Sequence, residues 1–367
     1  LPGLVLHITV KKVKDIVKSS GGDVFVRVNA GKQKIDTEEK LSRLKLDKGI
    51  ITFENEWIEM PLRRVENSNS IINFLINVIP SAEPLTYLEN QDLVKDNHVR
   101  VTGVLLFCDE PAVFLAKRSS IKVTRYQTKD DIGREYLKDI PLTIEGDVYN
   151  LIYNAVAETK KIIEGVKKLG EQGLESVEYP EEVLHEVIAN AVLHRDYSIA
   201  TDVQIRIFDN RVEVESPGKL PGHVTPRNIL KAQSARNPAL VRLINKFPNP
   251  PNKDVGEGLD TAFAAMEALR LKPPIITETE ESVIVVIKHE SLGSPEELVM
   301  KYMEMHDEIT NTVARDVTGI KSENTMKNVF LRLKARNMLE PIPERKGAAA
   351  AWRKPTPQPE NKKDPEN

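Results

Sequence analysis

The sequence predicts an α+β chain of several domains, on three observations. Its 367 residues are about twice the roughly 150 of an average domain. Strand-like alternation and helix-like periodicity take turns along the chain, so no single architecture repeats throughout. After Gly293 the texture changes to short amphipathic helical segments. Apolar residues make up 40% and charged residues 29%, which is enough apolar mass for real cores in water. The net charge is −3, so no whole-chain field announces a nucleic acid or a membrane surface. One cysteine, Cys108, excludes an internal disulfide framework and a thiolate zinc or iron–sulfur centre. No apolar run approaches the roughly 18 residues of a membrane span, and LPGLVLHITVKKVKD lacks a signal-peptide layout. The expected compartment is a reducing cytoplasm, with no membrane partner. The chain starts at Leu1 inside a strand-like run, the expectation for a fragment.

The elements follow in order. LVLHITV at 4–10 and DVFVRVN at 23–29 alternate as strands around the Gly21-Gly22 break. Asp36 and Thr37 are capping candidates for a helix through LSRLKL, with Glu39 three residues after Asp36. Residues 63–100 read as polar with short apolar runs such as IINFLINVI. VRVTGVLLF at 99–107, AVFLA at 112–116 and IKVTRY at 121–126 read as a cluster of strands. From Ile144, DVYNLIYNAVAETKKIIEGVKKL has helical spacing, with Val148, Leu151, Ile152, Ala155, Ile162 and Val166 as its apolar positions. PEEVLHEVIANAVLH predicts a second helix with Pro180 at its first turn. DVQIRIF and RVEVES make a hairpin around Asp209-Asn210. Residues 217–255, rich in Pro, Gly and Asn, predict a long loop with one embedded helix. TAFAAMEALR predicts a helix and SVIVVIK at 282–288 a strand.

Past Gly293, PEELVMKYMEMH, ITNTVARDV and the region of ENTMKNVFLRLKARN predict three short helices. MLEPI and AAAAW close them as two strands, an order that makes a winged-helix pattern. KPTPQPENKKDPEN is polar and proline-rich, a composition for disorder over 355–367. The expected spans are 1–62, 63–293 with a core of 144–290, and 294–354. Residues 321–354 carry nine basic residues against three acids, a net +6 on an acidic chain, which suits a binder of phosphate backbone. In the third helix Met326, Val329, Phe330 and Leu333 form the inward stripe. Asn324, Thr325, Lys327 and Asn328 then face outward, where a recognition helix reads base edges, and Arg345 and Lys346 add phosphate contacts. Such modules also mediate protein contacts.

The chemistry-bearing pattern lies in the second helix. Val183, Leu184, Val187, Ile188, Ala191 and Val192 make its buried face, and Glu186 and Asn190, four apart, share a polar strip that His194 continues. Downstream, Glu215-Ser216-Pro217-Gly218 ends a strand and Gly256-Glu257-Gly258-Leu259 opens a helix, where backbone amides can meet phosphate. The His194–Asp196 pair has no serine or cysteine nucleophile elbow beside it and no HExxH-type spacing.

The stretch from Glu186 to Gly258 resembles the GHKL, or Bergerat-fold, ATPase core of gyrase, the heat-shock chaperone, histidine kinases and mismatch-repair proteins. EVIANAVLHRDYS, VEVESPGKLPG, SARNPALVRL and VGEGL are similar to a divergent branch among bacterial transcriptional regulators, in which a Schlafen/AlbA-type domain precedes the ATPase domain. GGDVFVRVNAGKQKIDTEEKLSRLKLDKG is similar to the closing part of that α/β domain, and a winged helix is common at the branch's C-terminus. The resemblance implies a partial Schlafen/AlbA-type domain, a Bergerat-fold α/β sandwich and a C-terminal winged helix.

It implies ATP and Mg²⁺ as cofactors, with Asn190 as the metal ligand and Glu186 as the carboxylate that polarises the attacking water. Gly218 matches the first glycine box, and Gly256 and Gly258 match the second. His194 and Arg195 extend the helix motif beside the nucleotide. Ser216 stands where most relatives carry an aspartate for the adenine amino group, which implies weaker adenine specificity. Residues 219–253 would be a lid, mobile for want of large apolar anchors, with Arg227, Arg236 and Lys253 as its phosphate-seeking cations. The expected function is an ATP-binding, weakly hydrolysing, DNA-associated regulator, with duplex DNA as partner and a homo-oligomer as a further candidate assembly. A nucleotide-driven assembly sensor and a defence effector are the rival expectations.

Overall fold

The computed structural model describes residues 10, 12–28, 31–130, 133–170, 173–177, 179–232, 234–251, 258–268, 271–288, 294–318, 320, 322–345, 347 and 350–355. Two compact units divide the chain, Leu1–His289 and Glu290–Asn367.

The first unit opens with an antiparallel ribbon of β1 (Val24–Val28) and β2 (Gly31–Ile35). Helix α1 (Glu38–Asp47) follows, and the Thr37 hydroxyl caps it by accepting the Lys40 amide. Strand β3 (Trp57–Glu59) then leads into α2 (Arg63–Glu66), α3 (Asn69–Val78) and α4 (Pro84–Asn90). Strands β4 (Val94–Lys95) and β5 (His98–Arg100) complete a three-stranded sheet in the order β3-β5-β4.

Two sequence expectations fail in this stretch. Residues 63–100 form three helices whose Ile71, Phe74, Leu75, Tyr87 and Leu88 lie in the core. The 99–107 run continues from β5 into helix α5 (Val101–Phe107), and 112–116 holds a single 3-10 turn in place of a strand. Every residue of α5 is buried, so the run is apolar on all sides and its pattern carries no period that separates helix from strand.

The main sheet comes next. Strands β6 (Ile121–Arg125) and β7 (Leu142–Ile144) precede α6 (Val148–Glu164), a short hairpin of β8 (Lys167–Gly170) and β9 (Gly173–Ser176), and α7 (Glu181–Leu193). The α6 helix stops five residues short of the end of the helical stretch read from sequence, because Gly165 ends it and 167–170 pairs as strand. Strands β10 (Val203–Ile207) and β11 (Arg211–Pro217) form the expected hairpin. Helix α8 (Pro238–Ile244) is the helix embedded in the long loop, and α9 (Gly258–Ala268) leads to β12 (Ile275–Glu278) and β13 (Ser282–Lys288).

Six strands join in the order β12-β13-β11-β10-β6-β7, with β10 and β6 parallel and the other pairs antiparallel. One face of this mixed sheet, through Ile121, Val123, Val203, Ile205, Val212, Val214 and Ile287, packs in a common core with α6, α7 and α9. On α7 the predicted apolar face is buried throughout, from Val183 to Val192. Each such aliphatic side chain contributes about 1.5–3 kcal/mol, which fixes the helix's rotation and so the side on which Glu186 and Asn190 stand.

The second unit holds α10 (Pro295–Met305), β14 (Glu308–Thr310), α11 (Asn311–Thr318), α12 (Glu323–Ala335), β15 (Glu340–Pro341) and β16 (Ala351–Arg353). Ser294 and Glu297 form a reciprocal capping box on α10. The three helices stand as read from sequence, but the sheet has three strands, β14-β16-β15, because the first residues of ITNTVARDV pair with Ala351–Arg353. Met326, Val329, Phe330 and Leu333 are fully buried, and Phe330 stacks on Trp352 at 4.9 Å between centroids. The expected disordered tail falls almost wholly outside the described residues.

Candidate functional site

Helix α7 ends beside the sheet, and each carbonyl of its last turn finds a donor. Asn190 O accepts the His194 amide at 3.0 Å and Ala191 O the Ser216 hydroxyl at 2.7 Å. Val192 O accepts the Tyr197 hydroxyl at 3.1 Å, and Leu193 O the Asn237 amide at 2.9 Å. Helix ends leave such carbonyls orphaned unless other elements supply donors. Here β11 and the segment before α8 do so, which ties the helix end to both. A carboxylate at 216 could not donate to Ala191, so a hydroxyl suits this position.

Along the half-buried polar strip of α7, Glu186, Asn190 and His194 open onto a cavity of about 240 Å³. Val214 and Ser216 of β11, Val283 and Val285 of β13, and Ile276 of β12 form its sheet wall. Residues 218–221, Val224 and Ile229–Leu230 form its rim, and Leu259 at the start of α9 completes it. Asn190 Nδ2 donates to Glu186 Oε1 at 2.5 Å, so the amide oxygen Oδ1 is the atom left for a cation. Burial pushes the Glu186 carboxyl above the usual range, and the Asn190 hydrogen bond offsets this in part.

Gly218 is needed for its backbone. Its φ is +99°, and a Cβ there would meet Asp196 Cβ at 2.5 Å. That aspartate is a buried hub: its backbone N–H donates to Pro217 O, Oδ1 takes the Ser198 amide and hydroxyl, and Oδ2 takes Arg43 and Arg236. Burial alone would raise its carboxyl, but Arg236, Ser198 and Arg43 together hold it below the usual range.

Several sequence-derived site residues stand elsewhere. Arg195 is 1% exposed and turns away from the cavity, donating to Ile199 O at 3.2 Å and Thr201 O at 2.6 Å. The chain turns after His194, so neighbouring residues point to opposite sides. Arg236 is buried as well, donating to Leu46 O at 2.8 Å and to Lys219 O, and it does not line the cavity. Arg227 is exposed and also absent from the lining. Among the described residues Lys219 lines it, directly after the Ser-Pro-Gly turn, a position that the motif pattern does not single out. Gly258 opens α9 as expected, while Gly256, Lys253 and Lys346 lie outside the described residues.

The expectation of a lid without apolar anchors is corrected. Leu220, Val224, Leu240, Val241, Leu243, Ile244 and Phe247 are all buried, and Glu54 receives the Ala239 and Leu240 amides to cap α8. The segment's glycines and prolines signalled loop, but its aliphatic residues cluster on α8, which joins the main core.

Residues 200–287, from just before β10 to the end of β13, match the family described as "Putative ATP-dependent DNA helicase recG C-terminal". The region is ATPase-like. The match leaves α7, with Glu186 and Asn190, outside it. No curated protein matches the chain. The crystal structure of the DIP2311 protein from Corynebacterium diphtheriae superposes with a TM-score of 0.51 at 16% identity, over 93% of this chain and 72% of that one. At that identity the likeness concerns the fold alone.

The donors suit a magnesium–nucleotide complex. Asn190 Oδ1 is a hard oxygen of the kind Mg²⁺ takes, Mg²⁺ needs few protein ligands when phosphates supply the rest, and the aliphatic walls suit a base. Among the described residues no cluster of three or more His, Cys, Asp or Glu could hold a metal alone. No described helix is long and apolar enough to cross a membrane.

On the second unit Asn324, Thr325, Lys327 and Asn328 are exposed, opposite the buried stripe of α12, and Arg345 is exposed beyond that helix. Their charges are partly paired: Lys327 with Glu323 at 3.2 Å, Arg345 with Glu308 at 2.7 Å and Arg332 with Glu296 at 2.6 Å. Over 294–355 eleven basic residues face nine acids, so the +6 of 321–354 falls to +2 once its folding partners are counted.

Proposed function

We propose that this protein is an ATP-binding, DNA-associated regulator. In this reading the cavity belongs to a Bergerat-type ATPase domain, residues 1–62 are the closing part of a Schlafen/AlbA-type domain, and 294–354 form a winged helix on duplex DNA. The observation that carries it is the hydrogen-bonded Glu186–Asn190 pair, which faces a cavity whose sheet wall lies within the ATPase-like residues 200–287.

Bound Mg–ATP would supply the scissile phosphate and the charge that the metal neutralises. Asn190 would hold the metal through Oδ1, and Glu186, its carboxyl raised above the usual range by burial, would take a proton from water once ionised. Lys219, on the cavity lining, would meet phosphate, and the apolar sheet wall would hold the base and exclude water. Nucleotide state then controls DNA binding or transcription. The test is ATP hydrolysis by the full chain with and without duplex DNA: stimulation or inhibition by duplex supports the reading, and a rate indifferent to DNA opposes it.

The ion pairs that α12 and Arg345 make within their own unit favour a second reading, in which that module contacts protein and nucleotide drives homo-oligomer assembly. Nucleotide-dependent oligomerisation without DNA affinity would support it.

A further inference from the structure

We propose that Lys12 and helix α1 form a latch on the rim of the cavity, so that ligand occupancy is coupled to how tightly residues 12–48 are held. The identity of the ligand rests on the nucleotide reading above; the latch itself rests on contacts. Lys12 Nζ donates to Leu220 O at 2.8 Å and Val224 O at 3.2 Å, both residues of the cavity lining, and pairs with Glu278 Oε1 at 3.1 Å. The same Glu278 oxygen accepts the Leu220 amide at 2.8 Å. Gly222 N–H donates to Lys48 O at 3.2 Å, and Lys48 Nζ returns to Val13 O at 2.7 Å. At the other end of the rim Arg236 bridges Lys219 O to Leu46 O, while Arg43 of α1 meets Arg236 on Asp196.

Thus the backbone from Lys219 to Val224, one side of the cavity, bonds to a segment distant in sequence, directly at Leu220, Gly222 and Val224 and through Arg236 at Lys219. Ligand that moves this rim must stretch or release those bonds, and by linkage anything that pulls on residues 12–48 changes ligand affinity by the same factor. The β1–β2 ribbon lies within that segment, so the latch joins the amino-terminal part of the chain to the cavity.

Hydrogen exchange on the full chain tests it. Lys12→Met keeps the aliphatic stem and removes the donor. Exchange at the Leu220 and Gly222 amides should rise about tenfold, while Val212 and Val214 in the sheet stay unchanged. Glu278→Gln should act in the same direction. Adding the magnesium complex of a non-hydrolysable ATP analogue to the unmutated chain should alter exchange within 12–48, and Lys12→Met should abolish that response. Unchanged exchange at Leu220 and Gly222 in Lys12→Met overturns the latch. So does an analogue that binds by calorimetry yet leaves 12–48 unaffected. An analogue that fails to bind strikes the nucleotide reading instead, and the ligand-free comparison alone then decides the latch.

Discussion

Glu186 and Asp196 are carboxylates with opposite burdens. Burial raises Glu186, and the group must be ionised to act as a base, so hydrolysis should rise with pH along a limb lying above the ~4.3 of an ordinary glutamate. Glu186→Gln should remove that limb and lower turnover by roughly 10²–10⁴-fold while leaving nucleotide affinity nearly intact. A pH–rate profile of both proteins checks this. Asp196 is held below the usual range, so its pairing stabilises the fold above the unfolded value near ~3.9 and is lost as pH falls through the lower folded value. Asp196→Asn leaves the buried Arg236 without its partner charge and should cost about 3–5 kcal/mol in denaturant unfolding. The same substitution should flatten the acid side of the stability profile. The sequence made Glu186 and Asn190 visible through their spacing, but Asp196 read only as half of a His–Asp pair. Its role depends on Arg43 and Arg236, which no local pattern brings near it.

Elements were legible where one face is buried and the other wet. Helix α7 and the β10–β11 hairpin carry clean periods because they lie at the edge of the core. The wholly buried α5 carries none, and α8 hid inside a proline- and glycine-rich loop. The cap of α7 was equally invisible, since its donors, Ser216, Tyr197 and Asn237, come from three places. Asn237 is 1% exposed and donates to both Leu193 O and Arg195 O at 2.9 Å. Asn237→Ala should therefore destabilise the protein by about 1–3 kcal/mol through two unsatisfied buried carbonyls. Thermal unfolding measures it; a loss under half a kcal/mol, on the order of an ordinary surface substitution, would argue that water replaces the amide.

For the whole molecule, the division after residue 289 lies close to the change of texture at Gly293, whereas the electrostatics of the second unit needed the fold. Counting charge along 321–354 missed Glu296 and Glu308, which come from helix and strand earlier in that unit. If the unit binds duplex, the full chain should bind with a salt slope that a chain truncated after residue 293 lacks. Lys327→Ala should reduce that slope by about one unit. Equal binding by both chains would move the module to protein contacts.

The hydrolysis and nucleotide-coupling expectations depend on the cavity taking Mg–ATP. The measurement that reaches that claim is calorimetric titration of the full chain with ATP, with and without Mg²⁺, beside Asn190→Ala. The account predicts binding that strengthens with Mg²⁺ in the unmutated protein and loses that dependence in Asn190→Ala, while the fold is retained. No binding at millimolar ATP, or binding indifferent to both Mg²⁺ and Asn190, would contradict it.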